Sequence, residues 1–325
     1  MTAIGSEAAR EPRVSPPGRA RLFLIVRLLV AVLAYFLIFR VVDLSNVFGS
    51  VSGWTAWALG AGVLLLIVQT ALCTERWRLL VPQDTPRPGF VRSFWAYIEG
   101  AFFNQVLPST IGGDAVRVLR WRSPQMPTAE AFATVLVDRI SGATGAALLA
   151  GLASLLLFAH DVTDYRTVAV LALSAAFLFG GLCFIALMRW PRLQGLLHYI
   201  DRMHPGLARA RRSLVLGRRF LLSLVYSLVG HCLSGVSVYI LARSLGVDLP
   251  LSLSIGITGV VILISMIPIS LAGWGMREAS FLTLLGPLGV SSQDAVLIGI
   301  LFGLVVLVSA LPGGLSLLFG WAKFR

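Results

Sequence analysis

Apolar runs of about 20 residues recur along the whole chain rather than at one end, each long enough to cross the ~30 Å hydrocarbon layer of a bilayer. Inside that layer the backbone must satisfy its own hydrogen bonds, so a chain carrying many such runs folds as a bundle of helices. Composition agrees. The 325 residues are 57% hydrophobic and 13% charged, with mean hydropathy +0.85, whereas ordinary soluble domains are about 25% charged. A soluble enzyme is excluded, and the expected fold is all-α, a polytopic membrane helix bundle.

Residues 1–21 hold Arg10, Arg13, Arg19 and Arg21 among three prolines and read as a disordered cytoplasmic tail. Spans are expected at 22–39, 54–73, 130–158, 166–188, 220–241 and 294–319, with Glu75-Arg76-Trp77-Arg78 as an interfacial anchor after the second. Two further apolar stretches, about 90–122 and 250–288, are interrupted by Pro108, Gly112 and Gly113 and by Pro268, Gly273 and Gly275. Such breaks suit re-entrant hairpins of two half-helices, with the Pro and Gly positions as hinges. Counted as full crossings instead, the chain has eight.

The breaks carry an internal repeat. Residues 107–117, LPSTIGGDAVR, and 267–277, IPISLAGWGMR, match without a gap, and the spans that follow begin alike, TAEA at 128–131 and SQDA at 292–295. Two copies are expected, 22–158 and 166–319, with a short end at 320–325. Three spans per copy is an odd number, which turns the second copy upside down relative to the first.

The formal charge of +12 would suggest nucleic acid in a soluble protein. Here it reports topology. With both termini inside, cytoplasmic segments hold 21 basic residues, eight of them in loop 189–219, against Arg40, Arg166 and Arg243 outside. That assignment places the chain in the cytoplasmic membrane and makes the first hairpin enter from the cytoplasm and the second from outside. The loop can also hold anionic headgroups or a partner, but positive-inside alone accounts for it.

Charges left within the membrane are the candidate site, because they need a partner or a water-filled cavity. Asp138 follows Glu130 by about 12 Å of helix. Thr134, Asp138, Ser141, Gly142 and Gly145 recur at helical spacing as one polar, small-residue face that looks into the bundle. Asp138 either serves transport or forms a structural ion pair. Around the first break lie Glu99, Asn104, Gln105, Asp114 and Arg117; Asp114 is placed to cap a half-helix at 115–121, whose N-terminal amides suit an anion, and Arg117 adds a fork for phosphate. Arg277 and Glu278 occupy the equivalent place in the second copy. The bland alternative is that Asp114 and Arg117, and Arg277 and Glu278, only neutralise each other. Ser223, Ser227, His231 and Ser234 share one stripe of the fifth span. Glu99 and His231 are the candidate proton carriers, His231 equally a hydrogen-bonded structural histidine.

Other chemistry finds little support. The only lysine is Lys323, which suits neither a nucleotide-binding loop nor a Schiff base, so no ATP hydrolysis and no cofactor is expected. Cys73, Cys183 and Cys232 form no CxxC pair, and His160, His198, His204 and His231 have no metal-ligand spacing. Gly273–Glu278 begins like a dinucleotide fingerprint but lacks the third glycine and a preceding strand.

Arg76-Trp77, Asn104 with Pro108, Gly112-Gly113-Asp114 with Arg117, Asp138-Arg139, and Gly273-x-Gly275-x-Arg277-Glu278 together resemble the lysylphosphatidylglycerol synthase membrane-region family, over roughly residues 20–320. These are flippase-like integral membrane proteins. In bifunctional relatives the region is associated with flipping aminoacylated phosphatidylglycerol and precedes a soluble aminoacyltransferase domain. No such domain follows the last span here, so the resemblance implies a stand-alone member that translocates lipid and is not an enzyme. Arg117 and Arg277 would bind phosphate, and Asp138 with Arg139 would form a gate pair. Expected partners are anionic or phosphate-bearing lipids (phospholipid, aminoacyl-phospholipid, glycolipid or polyprenyl-phosphate) and a separately encoded lipid-modifying enzyme or glycosyltransferase. No residue pattern sets an oligomeric state. The rival functions are an ion-coupled small-solute transporter and a non-transporting scaffold.

Overall fold

The computed structural model describes residues 53–82, 85–106, 110–159, 169–170, 172–179, 218–267 and 273–318. Eight helices follow in order: α1 (Gly53–Leu79), α2 (Phe90–Val106), α3 (Thr110–Trp121), α4 (Thr128–Ala159), α5 (Arg218–Ser244), α6 (Leu251–Met266), α7 (Met276–Leu285) and α8 (Ser292–Leu318). Residues 169–170 and 172–179 are also helical, and no strand occurs among the described residues. The tail 1–21, the span at 22–39, Pro108, Pro268 and the end 320–325 lie outside the described residues, as does loop 189–219 except for Arg218 and Arg219.

Among the described residues four helices are long and apolar enough to cross a membrane: α1, α5, and the 128–155 and 292–316 portions of α4 and α8. By contrast α3 and α7, with 12 and 10 residues, reach only about 18 and 15 Å. Neither crosses a bilayer. Each instead packs against its predecessor, α3 on α2 and α7 on α6, as the two broken segments require.

Local chemistry marks the ends. At the start of α8 the Ser291 hydroxyl accepts the Asp294 N–H at 3.1 Å and donates to its carboxylate at 2.6 Å. α5 closes on Gly246, whose φ of 78° places it in the left-handed region, while the Val247 N–H bonds back to the Ala242 carbonyl at 3.0 Å.

The two halves pack as copies. α2 lies on α8 as α6 lies on α4; α3 meets α4 as α7 meets α8; α1 touches α8 as α5 touches α4. At the centre α1 and α5 run antiparallel, with Gln69 against Ser234 at 2.6 Å and Arg76 against Ser227 at 3.0 Å, so that numbering rises along one helix as it falls along the other. Antiparallel packing of equivalent spans is the geometry of an inverted repeat. Small residues bring the helices close: Gly256 leaves no room for a Cβ against Ala153, nor does Gly313 against the backbone of Ile98 and Glu99. Large apolar side chains such as Leu64, Leu152, Val225 and Val308 point outward, as lipid-facing positions do.

Two local expectations change. α1 continues through Cys73 to Leu79, so Arg76 and Trp77 are buried in the bundle and are not an interfacial anchor. No Gly or Pro interrupts that stretch, and a carboxylate waits for the arginine. Likewise α3 starts at Thr110, which puts Gly112 and Gly113 inside the helix and Asp114 beyond its first residues. A Cβ on Gly113 would overlap the Gly100 carbonyl and the Asn104 amide, so this glycine permits α2 and α3 to touch. In the second copy Gly273 and Gly275 do sit at a turn, with φ of 79° and 80°.

Candidate functional site

Four helices converge on Asp138. Its side chain is 1% exposed; one carboxylate oxygen accepts Arg76 Nε of α1 at 2.7 Å and the other accepts Arg117 Nη2 of α3 at 2.6 Å. The 3.6-residue period of α4 builds the place. Thr134, Asp138, Ser141, Gly142 and Gly145 face inward, where Ser141 meets Ser223 and Ser227 of α5 at 2.9 and 3.1 Å. Gly142 leaves the space that the Arg76 guanidinium fills, and Arg76 Nη1 donates to Ser227 Oγ at 3.0 Å.

Aromatic rings frame the second arginine. The Arg117 guanidinium lies 4.2 Å from the Trp77 ring and 4.3 Å from that of Tyr97. Trp77 stacks on Trp121 with 3.4 Å between centroids, and its indole N–H donates to Thr134 Oγ1 at 3.1 Å. Two arginines around one buried carboxylate leave an excess positive charge within the membrane, an arrangement that the surrounding structure must hold in place.

The expected Asp138–Arg139 gate pair does not form. Neighbouring helical residues point about 100° apart, and Arg139 instead donates to Asp114, whose Oδ2 lies 2.8 Å from Nε. Asp114 also stands 3.8 Å from Arg117 Nη1. Its role is to tie α3 to α4, not to cap a half-helix.

Around the first hairpin, Asn104 accepts the Gly113 N–H at 3.1 Å. Glu99, 1% exposed, takes Arg120 at 2.6 and 3.1 Å and the Ser316 hydroxyl at 2.9 Å, joining α2, α3 and α8. These contacts make Glu99 a tie between three helices. Gln105 stands on a cavity wall, its Oε1 without a hydrogen-bond partner among the described residues. His231 donates Nε2–H to the Gly142 carbonyl at 2.9 Å, and its Nδ1 has no partner among them.

In the second copy the buried Arg277 lies 5.5 Å from the Trp274 ring and 5.8 Å from Phe302. The repeat alignment matches Asp138 with Phe302, so a carboxylate in one half is replaced by a ring in the other. Glu278 is fully buried and accepts the Gly275 N–H at 2.6 Å, capping α7.

Two adjoining cavities follow the boundary between the halves, about 280 and 180 Å³ in volume. They share the walls Gln69, Ala101, Asn104, Arg139, His231 and Met266. The smaller also contains Arg76, Arg117 and Asp138, and the larger contains Arg277. A larger hollow of about 550 Å³, lined by Trp54, Trp57, Tyr239 and Arg243, lies at the far ends of α1 and α5, remote from the buried charges. Its aromatic and basic residues are those of a membrane interface.

Of the expected site residues, Arg76, Asn104, Gln105, Arg117, Asp138, Arg139, His231 and Arg277 meet at these cavities; Glu99, Asp114 and Glu278 serve ties and a cap beside them. Sequence reasoning missed Gln69, Tyr97, Trp77 and Trp121 as parts of the site. Gln69, Cys73 and Arg76 fall at i, i+4 and i+7 of one helix, a pattern visible only once the helix is carried past Cys73.

Residues 24–314 match the family described as the lysylphosphatidylglycerol synthase TM region. The chain belongs to that family. The UPF0104 membrane protein of Methanothermobacter thermautotrophicus (strain Delta H) is 23% identical over 309 residues, covering 83% of this chain and 85% of that protein. In this member of the lysylphosphatidylglycerol synthase TM region family the match takes in both hairpins, the Asp138 cluster and Arg277. Among the described residues no group of three His, Cys, Asp or Glu side chains is placed to hold a metal ion.

Proposed function

We propose that this chain carries a phosphate-bearing lipid across the cytoplasmic membrane, the headgroup passing between the inverted halves while the tail stays in the bilayer. The observation that carries the reading is the charge of the paired cavities: Arg76, Arg117, Arg139 and Arg277 line them, against Asp138 on the walls and Asp114 paired to Arg139. A cationic interior is costly in a bilayer and becomes useful when an anion visits it. Family membership supports lipid as the class of cargo.

In this reading the chain performs no bond chemistry and hydrolyses no ATP. A separately encoded enzyme or glycosyltransferase makes or consumes the lipid. Both termini lie in the cytoplasm, as the distribution of basic residues supports even with the buried Arg76 and Arg117 set aside, 19 inside against Arg40, Arg166 and Arg243 outside.

The test is reconstitution of purified protein into liposomes holding fluorescent phospholipid or polyprenyl-phosphate probes. Faster transbilayer movement than in protein-free vesicles is expected, reduced at least tenfold in Arg277→Ala. Equal rates with and without protein across both probe sets sink the proposal. Uptake of a soluble phosphate compound without lipid movement favours the small-solute transporter instead.

A further inference from the structure

We propose that Asp138 occupies the phosphate position of the site, a built-in stand-in that the substrate's phosphate displaces from Arg76 and Arg117. The inference rests on the translocation reading above and adds how the cargo is recognised and what its arrival releases.

The geometry points to it in three ways. First, the two oxygens of Asp138 are divided between two arginines on different helices, at 2.7 and 2.6 Å, as two oxygens of a phosphate would be. Second, the carboxylate leaves the cradle only partly used. Arg117 gives it Nη2 alone; its Nε is buried without a hydrogen-bond partner among the described residues, and its Nη1 is 3.8 Å from Asp114, beyond hydrogen-bond reach. A carboxylate offers two oxygens, whereas a phosphate monoester offers three unesterified ones and matches this donor set better. Third, the cradle opens on space: Arg76, Arg117 and Asp138 all line the cavity of about 180 Å³ that adjoins the larger one.

The exchange has a mechanical consequence. Asp138 sits on α4 and Arg117 on α3, so their contact and the Asp114–Arg139 pair together hold the first hairpin against the third span of its half. A phosphate that takes Arg117 away from Asp138 breaks the central tie between them. Binding of cargo thereby loosens α3 from α4 at one of its two ties, the Asp114–Arg139 pair remaining, and so couples recognition to the hold on the first hairpin.

The test uses the full-length protein in dodecyl maltoside, which carries no phosphate. Asp138→Asn keeps the shape of the side chain and removes the competing charge. Inorganic phosphate, dihexanoyl phosphatidic acid and, as a phosphate-free control, dihexanoylglycerol are titrated at constant ionic strength, with thermal unfolding and tryptophan emission as readouts. Expected are binding of inorganic phosphate and of the lipid phosphate to Asp138→Asn at least tenfold tighter than to wild type, no response to the control, and loss of the gain in Arg117→Gln/Asp138→Asn. If Asp138→Asn folds only in phosphate and not in chloride, the stand-in role is equally supported. Equal affinities in wild type and Asp138→Asn, or a variant unfolded in both salts, overturn it. A response to inorganic phosphate without one to the lipid phosphate keeps the anion position and overturns the lipid reading on which it rests.

Discussion

The tie between Glu99 and Arg120 is asymmetric, and its two halves have different costs. The Glu99 side chain is 1% exposed and that of Arg120 is 32% exposed. Arg120→Met removes two hydrogen bonds, at 2.6 and 3.1 Å, from a carboxylate that among the described residues keeps the Ser316 hydroxyl. A buried charge stripped of its partner costs about 3–5 kcal/mol. Glu99→Gln removes the charge from the interior and leaves an arginine that reaches water, so the loss is about that of charge-assisted hydrogen bonds, ~1.5–3 kcal/mol. The double variant leaves no stranded carboxylate and costs less than the sum, by a coupling of about 1–3 kcal/mol. Denaturant unfolding of the four proteins in detergent, read by tryptophan emission, measures the cycle. Arg120→Met no more damaging than Glu99→Gln, or strictly additive losses, refutes the burial argument.

Three shorter predictions follow from the packing. Gly113→Ala drives a methyl into the Gly100 carbonyl and the Asn104 amide and destabilises by about 1–3 kcal/mol, with amide exchange accelerating in α2 and α3 before other helices. Trp121→Ala removes the ring stacked at 3.4 Å on Trp77 and costs about 3–5 kcal/mol, measured as a lowered unfolding midpoint. Single cysteines placed at the exposed positions Asp248 and Ser291 of an otherwise cysteine-free chain react with an impermeant maleimide in intact cells, while those at Arg87 and Gln125 react only after permeabilisation; the reverse pattern overturns the topology.

The repeat was legible because it is written in residue order. The matched breaks at 107–117 and 267–277 set the two copies, and an odd span count set their inversion, which the antiparallel contact of α1 with α5 displays. The inward face of α4 was legible for the same reason, since the helical period alone brings Thr134, Asp138 and Ser141 to one side. Less legible were the helix limits. A tetrad with three charges after Cys73 reads as an end at the membrane surface, yet α1 runs on because a carboxylate 62 positions away receives Arg76.

Hydropathy and pattern by themselves determined that the chain is a helical membrane bundle, that it is doubled, and which few charges lie where lipid should be. Those are properties of local composition and periodicity, which survive without knowing what touches what. Only the tertiary structure decided the pairing. Asp138 bonds Arg76 and Arg117 rather than its neighbour Arg139, Glu99 is tied to Arg120 and Ser316, and equivalent glycines pack within a helix in one half and turn the chain in the other. Ion pairs within a few ångströms depend on how helices distant in sequence cross and rotate. That information lies in the packing of small residues between helices and not in the order of residues along any one of them.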